Sequence, residues 1–560
     1  MNLKWKNSLF ALVMGVGIAF TSCSEENMSP EPEPGGPTIV EGEDGFLSFR
    51  LTSAPNAIST KSANGNMVNP ISDGISTRAT EYGNKEEYIV KNGYVVFYDA
   101  TEMKVMYQIL LDINNGDGSV AFSGAGIATH NTTPHRPDFV TIKAQKIKKR
   151  DYKMLVILNP KTAMIDATTT GKQFSEFEKA YTQSLADLSA TGSYLENGTG
   201  YRTDITMTNA DWLTSIQIAD FEDTEADAES KTDLPRVKVD RVLAKVEFTK
   251  NADNATGMYP NGGQLGEVRW ILDITNRHTF WIRKLAPTAP VYGGSASGPA
   301  GPMEDNPSVD RVYRYAIDPN WDNISKLRTA TGTPTYVPIT EEFNIFYKEN
   351  ITTQSPLLGL ESAPTRMYTL ENTMAAADQW EDVTTRIIMK ANFRPVIYGE
   401  STPITANVSY YFYEGAAFTH TQLIAMMNNA LPWPTSPTGL EAVVRAGTTI
   451  TDLYLDQPTL PGTAVSKTSA DGKLTLYKDG ISYYAIKIRH FNDSESSGAM
   501  NYGRYGVVRN NVYKVNLSKV AGPGKPDIPK PGGPDDEEEG YISATIEVNE
   551  WVLRTQNGEI

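Results

Sequence analysis

The 560-residue chain holds a single cysteine, Cys23, and this thiol is where residue type and spacing point most directly to chemistry. Lys4 and Lys6 precede an apolar run from Leu9 to Phe20, and "FTSC" closes it. A charged start, a short apolar stretch and small residues make a secretory signal, and the run is short for a membrane span. The last four residues have the form of a bacterial lipobox, with Phe20 where leucine is commoner. There the thiol takes a lipid and the cysteine becomes the new N-terminus. One cysteine permits no intramolecular disulfide, so packing alone must hold an exported chain of this kind.

Other reactive constellations are missing from the sequence. His130, His135, His278, His420 and His490 form no HExxH pair or other metal spacing. "DINNGDG" from Asp112 resembles the start of a calcium loop, but Ser123 stands at the twelfth position, where an acid is needed, so it reads as a hairpin turn. "YGGSASGPAGP" at 292–302 lacks the Lys and Ser/Thr of a phosphate cradle and reads as a loop. No GxSxG elbow occurs, and nothing marks an acid–base pair among the carboxylates. The expectation is a protein that is not an enzyme, with no cofactor and no metal. A net charge of −16 without a basic stripe argues against nucleic acid as a partner.

The surrounding elements are strands. "FLSFRLT" (46–52) puts Leu47, Phe49 and Leu51 on one alternating face, behind a polar, Pro/Glu-rich tether at 24–45. From Tyr88 onward short Val/Ile/Tyr-rich runs such as "YIVKNGYVVFYDA", "YKMLVILN", "ISYYAIKIRHF" and "NNVYKVNL" alternate with Gly, Asn, Asp and Pro. In "DRVLAKVEF", Val242, Ala244, Val246 and Phe248 share a face. "FSEFEKAYTQSLADL" predicts a helix with Phe174, Phe177, Tyr181, Leu185 and Leu188 on one side, and "HTQLIAMMNNAL" a second. Two tandem β-sandwiches follow from the length, with the boundary placed in "KNADNATGMYPNGGQLG" near Lys250–Gly266. Residues 521–539 read as a solvated linker that could span at most about 60 Å at about 3.3 Å per residue. Beyond it, "YISATIEVNEWVL" sets Ile542, Ala544, Ile546 and Val548 on one face. A bulge or kink at Glu550–Trp551 would turn Trp551 inward as a further anchor and return Val552 to the apolar phase.

In this order, several stretches resemble one family, the major fimbrillins of Bacteroidales type V pili, in the short-fimbria (Mfa-type) shaft branch. They are the lipobox at Cys23, "FLSFRLT" followed by an arginine, "YKMLVILNP" (152–160), "ITMTN" (205–209), "VDRVLAKVEF" (239–248), "VRWILDITNRHTFWIRK" (268–284), "VVRNNVYKVNL" (507–517) and the Pro/Gly/acidic linker with its terminal strand. The span from about 285 to 480 matches loosely. The resemblance implies a mainly β fold of two transthyretin-like sandwiches with a few short helices and a C-terminal donor strand. It divides the chain into a signal peptide (1–22), a lipidated propeptide with a leader strand (23–78), an N-terminal sandwich (79–250), a C-terminal sandwich (251–520), a linker (521–540) and the donor strand (541–560).

The resemblance also implies a mechanism. The precursor, lipidated at Cys23 (a palmitate-bearing lipoprotein), is anchored in the outer membrane. An arginine-specific protease removes the leader strand, carrying Leu47, Phe49 and Leu51, and the donor strand of another copy (Ile542, Ala544, Ile546, Val548, Trp551, Val552) fills the vacated groove. The flexible "STRATEYGN" favours cleavage between Arg78 and Ala79 over Arg50, which lies inside the strand. Strand transfer of this kind is head-to-tail and builds an open polymer. Expected partners are other copies of the chain, the protease, anchor and tip fimbrial proteins, and host or bacterial surface receptors. The expected place is a cell-surface fimbrium serving adhesion and biofilm formation. The competing readings are an accessory or tip adhesin or glycan-binding surface lipoprotein, and a surface carbohydrate-active enzyme, which the missing motifs disfavour.

Overall fold

Valine, isoleucine and tyrosine dominate the strands because branched and aromatic side chains pack well on a pleated surface. The computed structural model describes residues 42–53, 80–82, 87, 90–111, 127–130, 139–191, 201–210, 212–285, 303–304, 312–313, 316–321, 324, 339–346, 358–359, 365–375, 378–490, 505–531 and 542–552. All lie within the unit Glu41–Ile560. The fold is mainly β.

In chain order the first strands are β1 (Asp44–Ser53), β2 (Thr80–Tyr82), β3 (Gly93–Asp99), β4 (Val105–Leu111), β5 (Ile127–His130), β6 (Phe139–Lys148), β7 (Tyr152–Leu158), β8 (Met207–Asn209) and β9 (Arg236–Arg241). All but β2 join one sheet in the order β4-β3-β7-β8-β9-β1-β6-β5, with Thr214–Ile216 paired to β7 beside this path. Phe97 and Val156 from one end of that order share a core with Phe49 and Ile142 from the other, so the sheet curls over itself. Its outer face also is covered. Val96, Tyr98, Leu155 and Ile157 pack with Met164, Phe174, Phe177 and Leu188 in a second core. Burial on both faces explains why "GYVVFYD" is apolar throughout rather than alternating.

The second sandwich uses β10 (Ala244–Lys250), β11 (Gln264–Asp273), β12 (Thr365–Thr369), β13 (Arg386–Arg394), β14 (Ile481–Lys487), β15 (Asn511–Val520) and β16 (Ile542–Val552). One sheet runs β2-β16-β15-β10-β12, and the other runs from Leu358–Gly359 through β11-β13-β14. Phe248, Val515 and Leu517 of the first meet Trp270, Met389 and Ile486 of the second. The sequence expects the sandwich boundary near Lys250–Gly266, but the chain changes sheet between Arg241 and Ala244. The turn-rich stretch after Lys250 connects β10 to β11 inside the second sandwich. Val242 and Leu243 fall in the core shared between the sandwiches, with Trp281, Tyr368 and Val512.

Two helix expectations have different outcomes. "HTQLIAMM" forms a helix, His420–Met427, started by a reciprocal cap: Gln422 N donates to Thr419 Oγ1 (3.1 Å) and Thr419 N to Gln422 Oε1 (2.9 Å). It stands with two further helices over a small sheet (Tyr410–Tyr413, Ala416–Phe418, Lys467–Thr468, Thr475–Tyr477), and the lobe has its own core around Tyr411, Phe418, Leu423 and Leu476. The helix expected across 174–188 is instead broken into helix Ser175–Glu178, strand Ala180–Thr182 and helix Leu185–Leu188. Ser184 restarts the second piece by donating N and Oγ to Asp187 Oδ2, and the middle strand pairs with His278–Phe280. Phe174, Phe177 and Leu188 are buried all the same.

Candidate functional site

The alternation in "FLSFRLT" becomes a strand enclosed on both edges. β1 runs antiparallel to β6 from Asp44↔Lys148 to Thr52↔Phe139, and parallel to β9 from Arg50↔Arg236 to Ser53↔Val239. Ahead of β9, Phe46 and Glu222 exchange backbone hydrogen bonds on the same edge (both 2.9 Å). Leu47, Phe49 and Leu51 are 0, 0 and 2% exposed. They lie among Val95, Phe97, Val156, Phe221, Val237 and Val239. Burying three such side chains is worth about 1.5–3 kcal/mol each. The total of about 5–9 kcal/mol, an upper estimate, rivals the whole stability of an ordinary domain at about 5–15 kcal/mol. Without β1 this sandwich would present an apolar trough between two unpaired strand edges.

Ionic and steric details seat the strand. Asp44 is bridged by Lys148 (2.6 Å) and Lys146 (3.3 Å). Hydrogen bonding from Lys148, then from Lys146, holds its carboxyl below the usual range. A Cβ on Gly45 would lie 2.5 Å from Cγ of Lys149, whose buried stem crosses the strand to pair with Asp223. The helix Glu225–Ser230 packs against both β1 and β6. Its cap is Thr224, whose Oγ1 accepts from Asp227 N at 3.2 Å.

The terminal strand β16 pairs within its own chain. It is antiparallel to β15, with Ile542, Ala544, Ile546 and Val548 opposite Val520, Leu517, Val515 and Tyr513, four buried residues of the second core. Its other edge meets β2 in parallel, Thr80↔Glu550 through Tyr82↔Val552. The bulge expected at Glu550–Trp551 is not there. The strand runs unbroken to Val552 because Glu550 and Trp551 both find partners in β2, and the register slips at Ser518 of β15 instead.

The linker expectation also changes. Residues 521–531 lie against the second sandwich, with Gly522, Pro523, Gly524, Pro529 and Pro531 buried. The sequence shows prolines and glycines, which suit both a free tether and a docked segment without regular ladder bonds. The deciding contacts come from distant tyrosines and Arg386, so composition alone could not find them.

Cys23, Arg78 and Ala79 lie outside the described residues, as do His135 and the stretches 112–118, expected as a turn, and 292–302, expected as a loop. Among the described histidines, Nδ1 of His420 bonds Tyr411 Oη (2.9 Å), Nδ1 of His490 bonds Tyr513 Oη (2.6 Å), and Nε2 of His278 faces Glu342 (3.1 Å). Among the described residues no His/Cys/Asp/Glu group could hold a metal ion. No helix among them is long and apolar enough to cross a membrane.

Residues 475–557 match the family described as "Major fimbrial subunit protein type IV, Fimbrillin, C-terminal". That span takes in β14, β15, the docked segment and β16 together. The match covers 83 of the 560 residues and marks this C-terminal part of the chain as similar to the fimbrillin C-terminal region. Among solved structures the chain is similar to a fimbrillin (fimA) from Porphyromonas gingivalis W83, at 13% identity and a TM-score of 0.38, covering 93% of this chain and 100% of that one. It is also similar to the tip fimbrial protein Mfa3 from Porphyromonas gingivalis with C-terminal truncation, at 9% identity and a TM-score of 0.35, covering 91% and 100%. No curated protein matches the sequence.

Proposed function

We propose that this chain is a fimbrial subunit that forms the shaft of a cell-surface fimbrium by exchanging its leader strand for the terminal strand of a neighbour. The observation that carries the reading is the seating of β1. It is a strand with three buried apolar residues, held between β6 and β9, and it precedes the arginine site at Arg78. Cleavage between Arg78 and Ala79 separates it covalently from the body of the fold. The trough then takes β16 of another copy, which has eleven residues against the ten of β1 and repeats apolar residues at the same two-residue period. Because donor and acceptor surfaces differ, the assembly is open-ended. In the same reading Cys23 carries the lipid of an outer-membrane precursor, and anchor and tip proteins terminate the filament.

The pairing of β16 with β15 in a single chain supports a second reading, an accessory or tip subunit whose tail stays on its own sandwich. One experiment separates the two. The chain is treated with an arginine-specific protease with and without residues 541–560, and SDS-resistant ladders are sought. The shaft reading expects ladders from the full chain alone. Equal polymerisation without the tail would contradict strand donation, and a full chain that is cut at Arg78 yet stays monomeric would favour the second reading.

A further inference from the structure

The segment before the tail has a built seat. Tyr484 Oη donates to Gly522 O (3.0 Å) and Tyr477 Oη to Gly524 O (2.6 Å). Tyr483 and Lys525 exchange backbone hydrogen bonds, 2.9 Å from Tyr483 N and 2.8 Å from Lys525 N. Arg386 Nη2 donates to Pro529 O (2.7 Å), while Nε of the same buried guanidinium holds Asp273 (3.0 Å). Gly524 is required by contact. A Cβ there would collide with the carbonyl oxygen of Tyr483 and lie 2.8 Å from the Tyr484 ring. Tyr483 belongs to β14, the outer strand of its sheet, so the segment covers an edge that would otherwise offer free ladder groups.

We propose that residues 522–531 are a docked strut of the second sandwich, and that this strut fixes the point from which the tail strand leaves the subunit. The proposal rests on the donor-strand reading for its consequence, though not for the docking itself. With Pro531 seated, ten residues (532–541) separate the strut from Ile542. The reach from Pro531 to Ile542 is then about 36 Å at about 3.3 Å per residue, against about 73 Å from Val520 to Ile542 if the whole stretch were free. A shorter tether narrows the distances and orientations open to two joined subunits. Arg386 acts here as a positioning residue: it couples the strut to Asp273 at the end of β11.

Gly524→Ala in the full-length chain tests this, read by hydrogen–deuterium exchange of the peptide spanning 521–531. The wild type is expected to exchange slowly at Lys525, and the variant at least tenfold faster there, with the melting transition of the second sandwich retained. Tyr477→Phe/Tyr484→Phe, which removes two strut bonds while keeping both rings, is expected to accelerate exchange in the same peptide. Protease-treated polymers are then compared by electron microscopy. Wild-type filaments should keep a uniform subunit repeat, and Gly524→Ala filaments should bend more and lose it. Wild-type exchange at Lys525 as fast as in an unstructured peptide would overturn the docking. A released strut with an unchanged repeat would overturn the positioning role. Failure of strand donation itself would show separately, as polymers that persist when residues 541–560 are deleted, while the exchange experiment still reports on the strut.

Discussion

Phe49 stands at the centre of β1, fully buried and opposite Ile142 of β6. Truncating a buried phenylalanine costs about 3–5 kcal/mol through lost burial and the cavity left behind. Phe49→Ala should therefore destabilise the unprocessed chain by that amount in urea unfolding, and leave the protease-processed chain unaffected because the residue has been removed. Gly45→Ala should cost about 1–3 kcal/mol in the unprocessed chain by forcing the Lys149 stem aside. Asp44 provides a pH handle. Its carboxyl is held low in the fold by Lys148 and Lys146, so its contribution is complete above the unfolded aspartate value of about 3.9 and is lost as pH falls through the lower folded value. Carboxyl NMR titration should show Asp44 below the ordinary aspartate value, and Lys148→Met should move it up. An unchanged midpoint would contradict the pairing.

At the scale of elements, two strands with similar patterns differ in their surroundings. β1 is paired with β6 along its length on one edge, and on the other with Glu222 at Phe46 and with β9 from Arg50 to Ser53. β16 is paired with β15 along most of its length but meets β2 only at Glu550–Val552. Opening free energy follows such local enclosure. Amides of β1 should exchange more slowly than those of residues 542–549 in the unprocessed chain, and the reverse order would contradict the view of β16 as the releasable strand. The alternation of Leu47, Phe49 and Leu51 was legible in the sequence because a strand with one buried face shows its period directly. The segment 174–188 was not legible as a helix–strand–helix. Its apolar spacing fits a helix, and only pairing with His278–Phe280, about a hundred residues away, decides for a strand at Tyr181. Likewise the strut's partners Tyr484, Tyr477 and Arg386 lie 38, 47 and 143 residues from their acceptors in sequence.

For the molecule as a whole, a mainly β fold with two sandwiches follows from many short Val/Ile/Tyr runs punctuated by turns. The point where one sandwich hands over to the next was harder to read. It falls inside the strand-like run "VDRVLAKVEF", with Val242 and Leu243 serving a core common to both sandwiches, while the conspicuous Gly/Asn-rich stretch downstream is only an internal loop. A shared core of that kind couples the sandwich that holds β1 to the one that holds β16. The most direct test of strand exchange uses introduced cysteines, because the sequence has only one of its own, Cys23, and the proposed cut at Arg78 would remove it. Ile142→Cys in β6, opposite Phe49, is combined in turn with Ala544→Cys and Ile546→Cys in the tail, and each chain is cleaved by the arginine-specific protease and then oxidised. The account predicts disulfide-linked ladders joining consecutive copies at one or both tail positions, and none from uncleaved chains. Cleaved chains that lack the leader and form no link between copies would contradict it.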